Sequence, residues 1–346
     1  MTTSRPAVRQ ILKTISLISE MKKRVAVIYG GTSSEREISI LSGRYAASSI
    51  DRDRYEVYEV LFNADNWLLI DWEDESNEKM RVLGVVDKGT FSCNGVRFDV
   101  ACIMIHGIPG ENGLLQGYFE MMGIPVTTCS SFVCTVAFNK YSCKTFLRDT
   151  GVKMAEDVFL HKGEAYDVNA IVSKLSLPVF VKPSDGGSSF GVTKVKKASD
   201  MPAAIEAAFN ESDTLLIEKA VSGREVTQAV FTSEGKVTVL PVTEIITENE
   251  YFDYEAKYLG KSEEVCPAEI TDAQKADISY WTEKIYRHLG CTGLVRMDYI
   301  MAEDGVYFLE INATPGMTRM SLVPKMVRVA GIDIKSFFTE LIESAR

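Results

Sequence analysis

Four side chains near the C-terminus have the types and spacing to do chemistry together: Arg296, Asp298, Glu310 and Asn312. They lie in residues 294–317, L-V-R-M-D-Y-I-M-A-E-D-G-V-Y-F-L-E-I-N-A-T-P-G-M. The stretch reads as two strands joined by the loop Glu303-Asp304-Gly305, because three-residue hairpin loops commonly close on a left-handed glycine. That loop sets Ala302 opposite Val306, Ile300 opposite Phe308, Asp298 opposite Glu310 and Arg296 opposite Asn312. The other face then carries Val295, Met297, Tyr299 and Met301 beside Tyr307, Leu309 and Ile311. A two-residue Asp-Gly turn would place charges among that apolar set, which burial forbids. Two carboxylates and an amide oxygen, without His or Cys, form a hard-oxygen set suited to Mg2+ shared with phosphates rather than to Zn2+. The plainer alternative is a solvated face with an Arg296 salt bridge.

The chain that must position these groups has 346 residues, enough for two or three domains with their own cores. Its 38 basic and 48 acidic residues give a net charge of −10. That balance disfavours nucleic acid as the main partner. The seven cysteines include no C-x-x-C and read as thiols in a reducing, cytoplasmic compartment. No segment approaches the roughly 18 to 20 unbroken apolar residues of a spanning helix, so no membrane partner is expected. Residues 1–20 are basic and weakly amphipathic. Lys13 interrupts their apolar run, which argues against a signal peptide. They are expected to be a disordered extension.

In chain order, V-A-V-I-Y (residues 25–29) reads as a buried strand. Gly30-Gly31 breaks it, and Thr32, Ser33 or Ser34 can cap a helix running to about Ile50. Such a turn offers backbone N–H groups to a small ligand, although it lacks the G-x-G-x-x-G spacing. A strand over 55–62 and a polar region to Gly89 follow. A buried strand over 98–105 enters H-G-I-P-G-E-N-G-L-L-Q-G, a ligand-facing loop in which His106 either binds or holds the loop. With a helix over 114–122, this region reads as a parallel β/α unit.

Residues 135–149 have helical spacing and carry Lys140. A strand through Lys182 enters the Gly/Ser-rich loop 184–191, which can close over phosphate with N–H and hydroxyl donors. It is not a Walker A loop. A helix over 201–209, a strand over 214–217 ending at Glu218-Lys219, and a turn into another strand come next. Residues 247–269 read as a long binding loop around Y-E-A-K-Y. A helix over 272–289 precedes the hairpin, and a last helix starts at Ile334.

Four motifs in this order, H-G-I-P-G-E-N-G-L-L-Q-G, V-K-P-S-D-G-G-S-S-F-G-V, Y-E-A-K-Y and E-I-N-A-T-P-G-M-T, with G-G-T-S-S-E-R-E at the first strand end, carry a resemblance. From Met21 onward the chain resembles the D-alanine–D-alanine ligases of the ATP-grasp family. The resemblance implies an α/β, three-domain ATP-grasp architecture with an N-terminal parallel α/β domain. The boundaries are 21–128, then 129–218 with a phosphate lid, then 219–346 with the metal site and a mobile loop. It implies ATP as substrate, two Mg2+ ions (Mn2+ able to replace them) on Asp298, Glu310 and Asn312, and a homodimer. Lys140, Lys182 and Ser189 match phosphate contacts; Glu218, Lys219 and Val221 match the adenine linker, and Glu225 the ribose contact. Glu35 matches the carboxylate that holds the first amino group, with His106 beside it. Lys257, Ser321 and Leu322 match the grip on the second D-alanine. Ser188 and Tyr258 match hydroxyls that join Glu35 to the mobile loop. Arg296 and the Gly316 N–H match oxyanion donors.

The sequence departs from the family at Met297, Tyr299, Ala313, Gly186 and Arg319-Met320, without losing a metal ligand or phosphate lysine. The resemblance implies ligation of two D-alanines through an acyl phosphate, for peptidoglycan precursors. The alternatives are a ligase taking D-serine or D-lactate, the latter opposed by Tyr258, and a regulatory protein that binds nucleotide without chemistry.

Overall fold

The computed structural model describes residues 22–73, 79–187, 190–247 and 262–346. The N-terminal sheet is built on β1 (Lys23–Gly30), whose interior residues are fully buried. Helix α1 (Arg36–Ser49) leads to β2 (Tyr55–Phe62), which lies parallel to β1. Two strands then extend the sheet antiparallel, β3 (Trp67–Trp72) and β4 (Met80–Val85). They lie within the stretch expected to be only polar, so the sheet is mixed rather than wholly parallel. β4 is mostly exposed on both faces, so its sequence shows no two-residue period. A short hairpin, β5 (Ser92–Cys93) and β6 (Val96–Arg97), turns on Asn94-Gly95, both at positive φ. β7 (Val100–Ile103) completes the sheet on the other side of β1, and α2 (Leu114–Met122) follows the glycine-rich loop.

Residues 135–149, expected as one helix, belong to two: α3 (Ser131–Phe138) and α4 (Lys140–Leu147). Asn139 is extended between them, and its side chain accepts from the Ser142 N–H at 2.8 Å, capping α4. The break places Lys140 at the first turn of α4, against the loop that begins at Ser184. A short β8 (Lys153–Met154) precedes β9 (Asp157–His161), α5 (Val168–Leu175), β10 (Val179–Pro183), β11 (Thr193–Val195), α6 (Met201–Phe209) and β12 (Thr214–Lys219). These make an antiparallel sheet in the order β11-β10-β12-β9.

The C-terminal sheet comprises β13 (Arg224–Ser233), β14 (Lys236–Val239), β15 (Thr243–Thr247) and β16 (Ser262–Val265). After α7 (Asp272–Leu289) it gains β17 (Val295–Ala302) and β18 (Gly305–Asn312), and α8 (Leu322–Val329) and α9 (Ile334–Glu343) close the chain. The order is β16-β15-β13-β17-β18-β8, with β14 on β13. β16 falls inside the stretch expected to be a structureless loop; residues 248–261 of that stretch lie outside the described residues. The apolar face of β1 and α1 shares one core with α8 and α9, through Tyr29, Ile40, Met326 and Phe337. Ala229, Phe231 and Ile245 belong to the same core, so the C-terminal sheet is packed onto the N-terminal unit.

The β17–β18 hairpin corrects one expectation and keeps another. Its turn is the two-residue Glu303-Asp304, with Ala302 opposite Gly305, so Tyr299 faces Phe308 and Ile300 faces Tyr307. A bulge at Leu309 then restores the register, and Asp298 faces Glu310 while Arg296 faces Asn312. The core face accordingly takes Val306 and Phe308, not Tyr307 and Leu309, beside Met297, Tyr299 and Ile311.

Gly43 shows how tightly α1 seats on the sheet. A Cβ there would fall 2.1 Å from the Tyr29 ring. That ring cannot swing aside, because its hydroxyl donates to Glu59 at 2.6 Å and accepts from Trp72 Nε1 at 2.8 Å. Alanine is a better helix former than glycine by about 1 kcal/mol. Gly43→Ala is nevertheless expected to destabilise the protein by about 1–3 kcal/mol through overpacking, read as a lower urea midpoint at constant m-value.

Candidate functional site

The acidic face of the hairpin is closed by its own cation. Asp298 is 5% exposed. Its Oδ1 accepts from Arg296 Nε at 2.9 Å and from Thr227 Oγ1 at 2.5 Å; its Oδ2 accepts from Arg296 NH2 at 2.8 Å and from Asn312 Nδ2 at 3.2 Å. The two-pronged guanidinium contact sets a full positive charge against the buried carboxylate. Glu310, its cross-strand partner, lies 3.7 Å from Lys140 Nζ. Among the described residues no three His, Cys, Asp or Glu groups are gathered to hold a metal by themselves. The donors here are two carboxylates and an amide. Such a set fits Mg2+, which keeps few protein ligands and completes its shell with phosphate and water.

Lys140 joins this face to the loop that begins at Ser184. Its Nζ donates to the Gly186 carbonyl at 2.8 Å and its backbone N–H to the Ser184 carbonyl at 2.8 Å. Asn139 Nδ2 donates to Asp185 Oδ1 at 2.8 Å. Gly186 sits at φ 119, a conformation that L side chains rarely adopt and that glycine permits. Ser188 and Ser189 lie outside the described residues.

Lys182 pairs with Glu218. The second cation on Glu218 is one the sequence reading missed, Lys144, 2.5 Å from Glu218 Oε1 and 2.6 Å from Asp157 Oδ2, and itself buried. Burial works to raise the Glu218 carboxyl, but Lys182 and Lys144 outweigh it and hold it below its usual range. The signal for Lys144 is its place one helical turn after Lys140 on the same helix.

Lys219 and Val221 line a cavity of about 1040 Å3 together with Met154, Arg224 and the hairpin tip. Glu218 does not line it, because alternation along β12 sends that side chain to the opposite face. Neither Lys140, Lys182, Asp298 nor Glu310 borders this cavity. Glu225 lies on β13 opposite Ile300 of β17.

At the N-terminal side, Glu35 is the N-cap of α1. Thr32, Ser33 and Ser34, expected caps, do not cap it. Ser33 Oγ instead donates to the His106 carbonyl at 3.0 Å. The imidazole of His106 is buried, and both ring nitrogens are engaged. Nδ1 donates to the Thr314 carbonyl at 3.0 Å, since a carbonyl can only accept, and Nε2 accepts from Ser42 Oγ at 2.9 Å. Ser42 Oγ in turn accepts the Met317 N–H at 3.2 Å. The structural role of His106 is thus a clamp between α1, its own loop and residues 314–317. Beyond the clamp, Ser321 is the N-cap of α8, with its Oγ 2.7 Å from Thr318 Oγ1, and Leu322 is the first helical residue. A Cβ on Gly316 would lie 3.2 Å from Ser321 Oγ, so these three positions share one corner. Lys257 and Tyr258 lie outside the described residues.

Comparison with known proteins follows the same outline. The family "D-ala D-ala ligase N-terminus" matches residues 24–129 and "D-ala D-ala ligase C-terminus" residues 146–343. The chain is 46% identical over 328 residues to the D-alanine–D-alanine ligase of Parabacteroides distasonis, covering 93% of this chain and 97% of that one. It is 43% identical over 329 residues to that of Phocaeicola vulgatus, covering 94% and 99%. Among solved structures it is similar to the VanG D-Ala:D-Ser ligase of Enterococcus faecalis, with TM-score 0.80, 27% identity and coverage of 93% and 99%. It is also similar to the Bacillus anthracis D-alanine–D-alanine ligase complexed with ATP, with TM-score 0.74, 26% identity and coverage of 93% and 97%.

The clamp has a pH signature. Burial lowers the His106 pKa below its ordinary 6.5, against the opposing pull of Glu35. The unfolded chain therefore binds the proton more readily, and stability is lost as pH falls from about 6.5 toward the folded pKa. The loss should not exceed about 1.4 kcal/mol per pH unit. Denaturant titrations from pH 7.5 to 5 are expected to show this slope in the difference between the wild type and His106→Asn; parallel curves would exclude it.

Proposed function

The chain belongs to the D-alanine–D-alanine ligase family, and from that premise we propose how its residues divide the labour of the reaction. The enzyme joins two D-alanines at the expense of ATP, for peptidoglycan precursors. A carboxylate is a poor electrophile, so the first D-alanine carboxylate takes the γ-phosphoryl group of ATP, giving an acyl phosphate and ADP. The amine of the second D-alanine attacks the carbonyl, and phosphate leaves as the amide forms.

One observation carries the assignment of roles: Arg296, Asp298, Glu310 and Asn312 share one face of the hairpin, across from Lys140 at the root of the lid. We assign Asp298, Glu310 and Asn312 to two Mg2+ ions, replaceable by Mn2+, which would neutralise the charge of the transferring phosphoryl group. Lys140 and Lys182 hold phosphates, with Ser189 from the lid. Lys219 and Val221 read adenine from the linker, Glu218 orients Lys182, and Glu225 takes the ribose. Glu35 holds the first ammonium, with His106 fixing the loop beside it. Ser321 and the N-terminus of α8 at Leu322 receive the second carboxylate, where the helix dipole favours an anion, aided by Lys257. Ser188 and Tyr258 link Glu35 to the loop that shuts the site, and closure keeps water from the acyl phosphate. Arg296 and the Gly316 N–H stabilise the tetrahedral oxyanion. A cytoplasmic homodimer completes the proposal.

Incubation with ATP, Mg2+ and D-alanine is expected to yield D-alanyl-D-alanine, ADP and phosphate in equal amounts, and nothing with L-alanine. D-Serine in competition reads the second subsite directly. In the same assay Arg296→Gln, which keeps a donor but loses the charge, is expected to lower kcat by about 10²–10³-fold. An unchanged kcat would remove Arg296 from the oxyanion role.

A further inference from the structure

One buried lysine, Lys144, has no task in the roles above. It lies one turn into α4 and is 4% exposed. Its Nζ donates to the Ala155 carbonyl at 2.7 Å and to Glu218 Oε1 at 2.5 Å, and lies 2.6 Å from Asp157 Oδ2. Three acceptors match the three hydrogens of an ammonium.

The sheet explains why a cation is needed there. Glu218 on β12 stands directly opposite Asp157 on β9 and, on its other side, opposite Phe180 on β10. Two carboxylates directly across a strand pair repel each other. Lys144 enters from α4, outside the sheet, and joins them. Lys182 lies two residues beyond Phe180 on β10, hence on the same face, and takes the other Glu218 oxygen, Oε2. Two lysines therefore balance two carboxylates, and each Glu218 oxygen goes to a different lysine. None of the four side chains is more than 16% exposed.

A buried carboxylate left without a cation is strongly unfavourable, so a lone cationic partner is held fast. A carboxylate with two cationic partners can release one and remain neutralised.

We infer that Lys144 is a positioning residue for nucleotide binding: its hold on Glu218 and Asp157 lets Lys182 leave Glu218 for a phosphate. The inference rests on the assignment of Lys182 to phosphate and says what makes that lysine available. Without Lys144, Lys182 would be the one cation left to Glu218 among the described residues, and ATP would have to draw it from a carboxylate that its departure strands. ATP binding would weaken, while the groups assigned to the amino acids and the oxyanion would keep their places.

Lys144→Met keeps the apolar stem and removes the charge. It is expected to raise the KM for ATP at least tenfold, with kcat and the KM for D-alanine within threefold, the pattern of lost binding rather than lost chemistry. A lysine that merely packed α4 would matter equally whatever stood at 218, so a double-mutant cycle with Glu218→Gln separates the two roles. In the Glu218→Gln background, Lys144→Met should change the KM for ATP less than threefold, because the charge that holds Lys182 is gone and Asp157 lies one strand further off, on β9. Equal factors in the two backgrounds would overturn the inference. Lys182→Met, measured beside them, tells failure of the inference from failure of the assignment beneath it. A KM for ATP raised by Lys182→Met but not by Lys144→Met rejects the inference alone; a KM unmoved by Lys182→Met rejects the phosphate role of Lys182 and the inference with it. Should Lys144→Met fail to fold, Asp157→Asn decides. That variant commits Lys144 to Glu218 alone and is expected to lower the KM for ATP at least twofold, a gain that structural damage would not give; an unchanged or raised KM rejects the inference.

Discussion

A carboxylate buried at the level of Asp298 is tolerable only with a cation and hydrogen bonds at its oxygens. Arg296 supplies the cation from two residues away on the same strand, and Thr227 and Asn312 supply further hydrogen bonds. The arrangement requires that Arg296 and Asp298 point to one face of β17 and that Asn312 lie opposite on β18. A one-residue slip would send Asp298 into the apolar set of Met297 and Tyr299. The register of one hairpin is therefore an electrostatic requirement as much as a packing one, and the bulge at Leu309 is the device that meets it.

The hairpin alone makes half a site. Its other half comes from the loops after β1 and β7, and these are brought to it by contacts distant in sequence. His106 bridges Ser42 of α1 and the carbonyl of Thr314, and α8 and α9 complete the core of the N-terminal sheet. The corner formed by Gly316, Ser321 and Leu322 begins immediately after the clamp. Displacing His106 would loosen the loop after β7 and the corner at Gly316 together, because one imidazole holds both backbones.

What the sequence made legible divides along physical lines. Continuous segments were plain: the helices Leu114–Met122, Met201–Phe209 and Asp272–Leu289 and the strand Tyr55–Phe62 match their expected bounds. The pairing of Asp298 with Glu310 was legible because burial forbids the alternatives, yet the turn that delivers it was misread, since two compensating irregularities leave no trace in a period-two pattern. The strand β4 was missed because an edge strand exposed on both faces has no face to bury, whereas β3 is buried and its short apolar run Trp67-Leu68-Leu69-Ile70 was taken into the polar region around it. Asn139 looked like a helix interior because a cap and a helical polar residue share the same side chain, and only backbone geometry separates them. Lys144 was hidden for a different reason. A buried lysine is defined by the two carboxylates it meets, and both lie beyond its own helix, Asp157 on β9 and Glu218 on β12.

The charges of the cleft form a set of pairs that ligands can exchange rather than create. Arg296 with Asp298, Lys140 with Glu310 and Lys182 with Glu218 each join a group proposed to meet phosphate or oxyanion with a carboxylate close at hand. In two of the three pairs that carboxylate is also a proposed metal ligand. Phosphates arriving with their metal ions would take the lysines from one side and the carboxylates from the other. Each group would leave one opposite charge for another, and no ion would be stranded in the low-dielectric interior. Glu218 is the exception, and Lys144 explains it. With a second, buried lysine of its own, Glu218 would keep a neutralising partner were Lys182 to turn to phosphate as proposed.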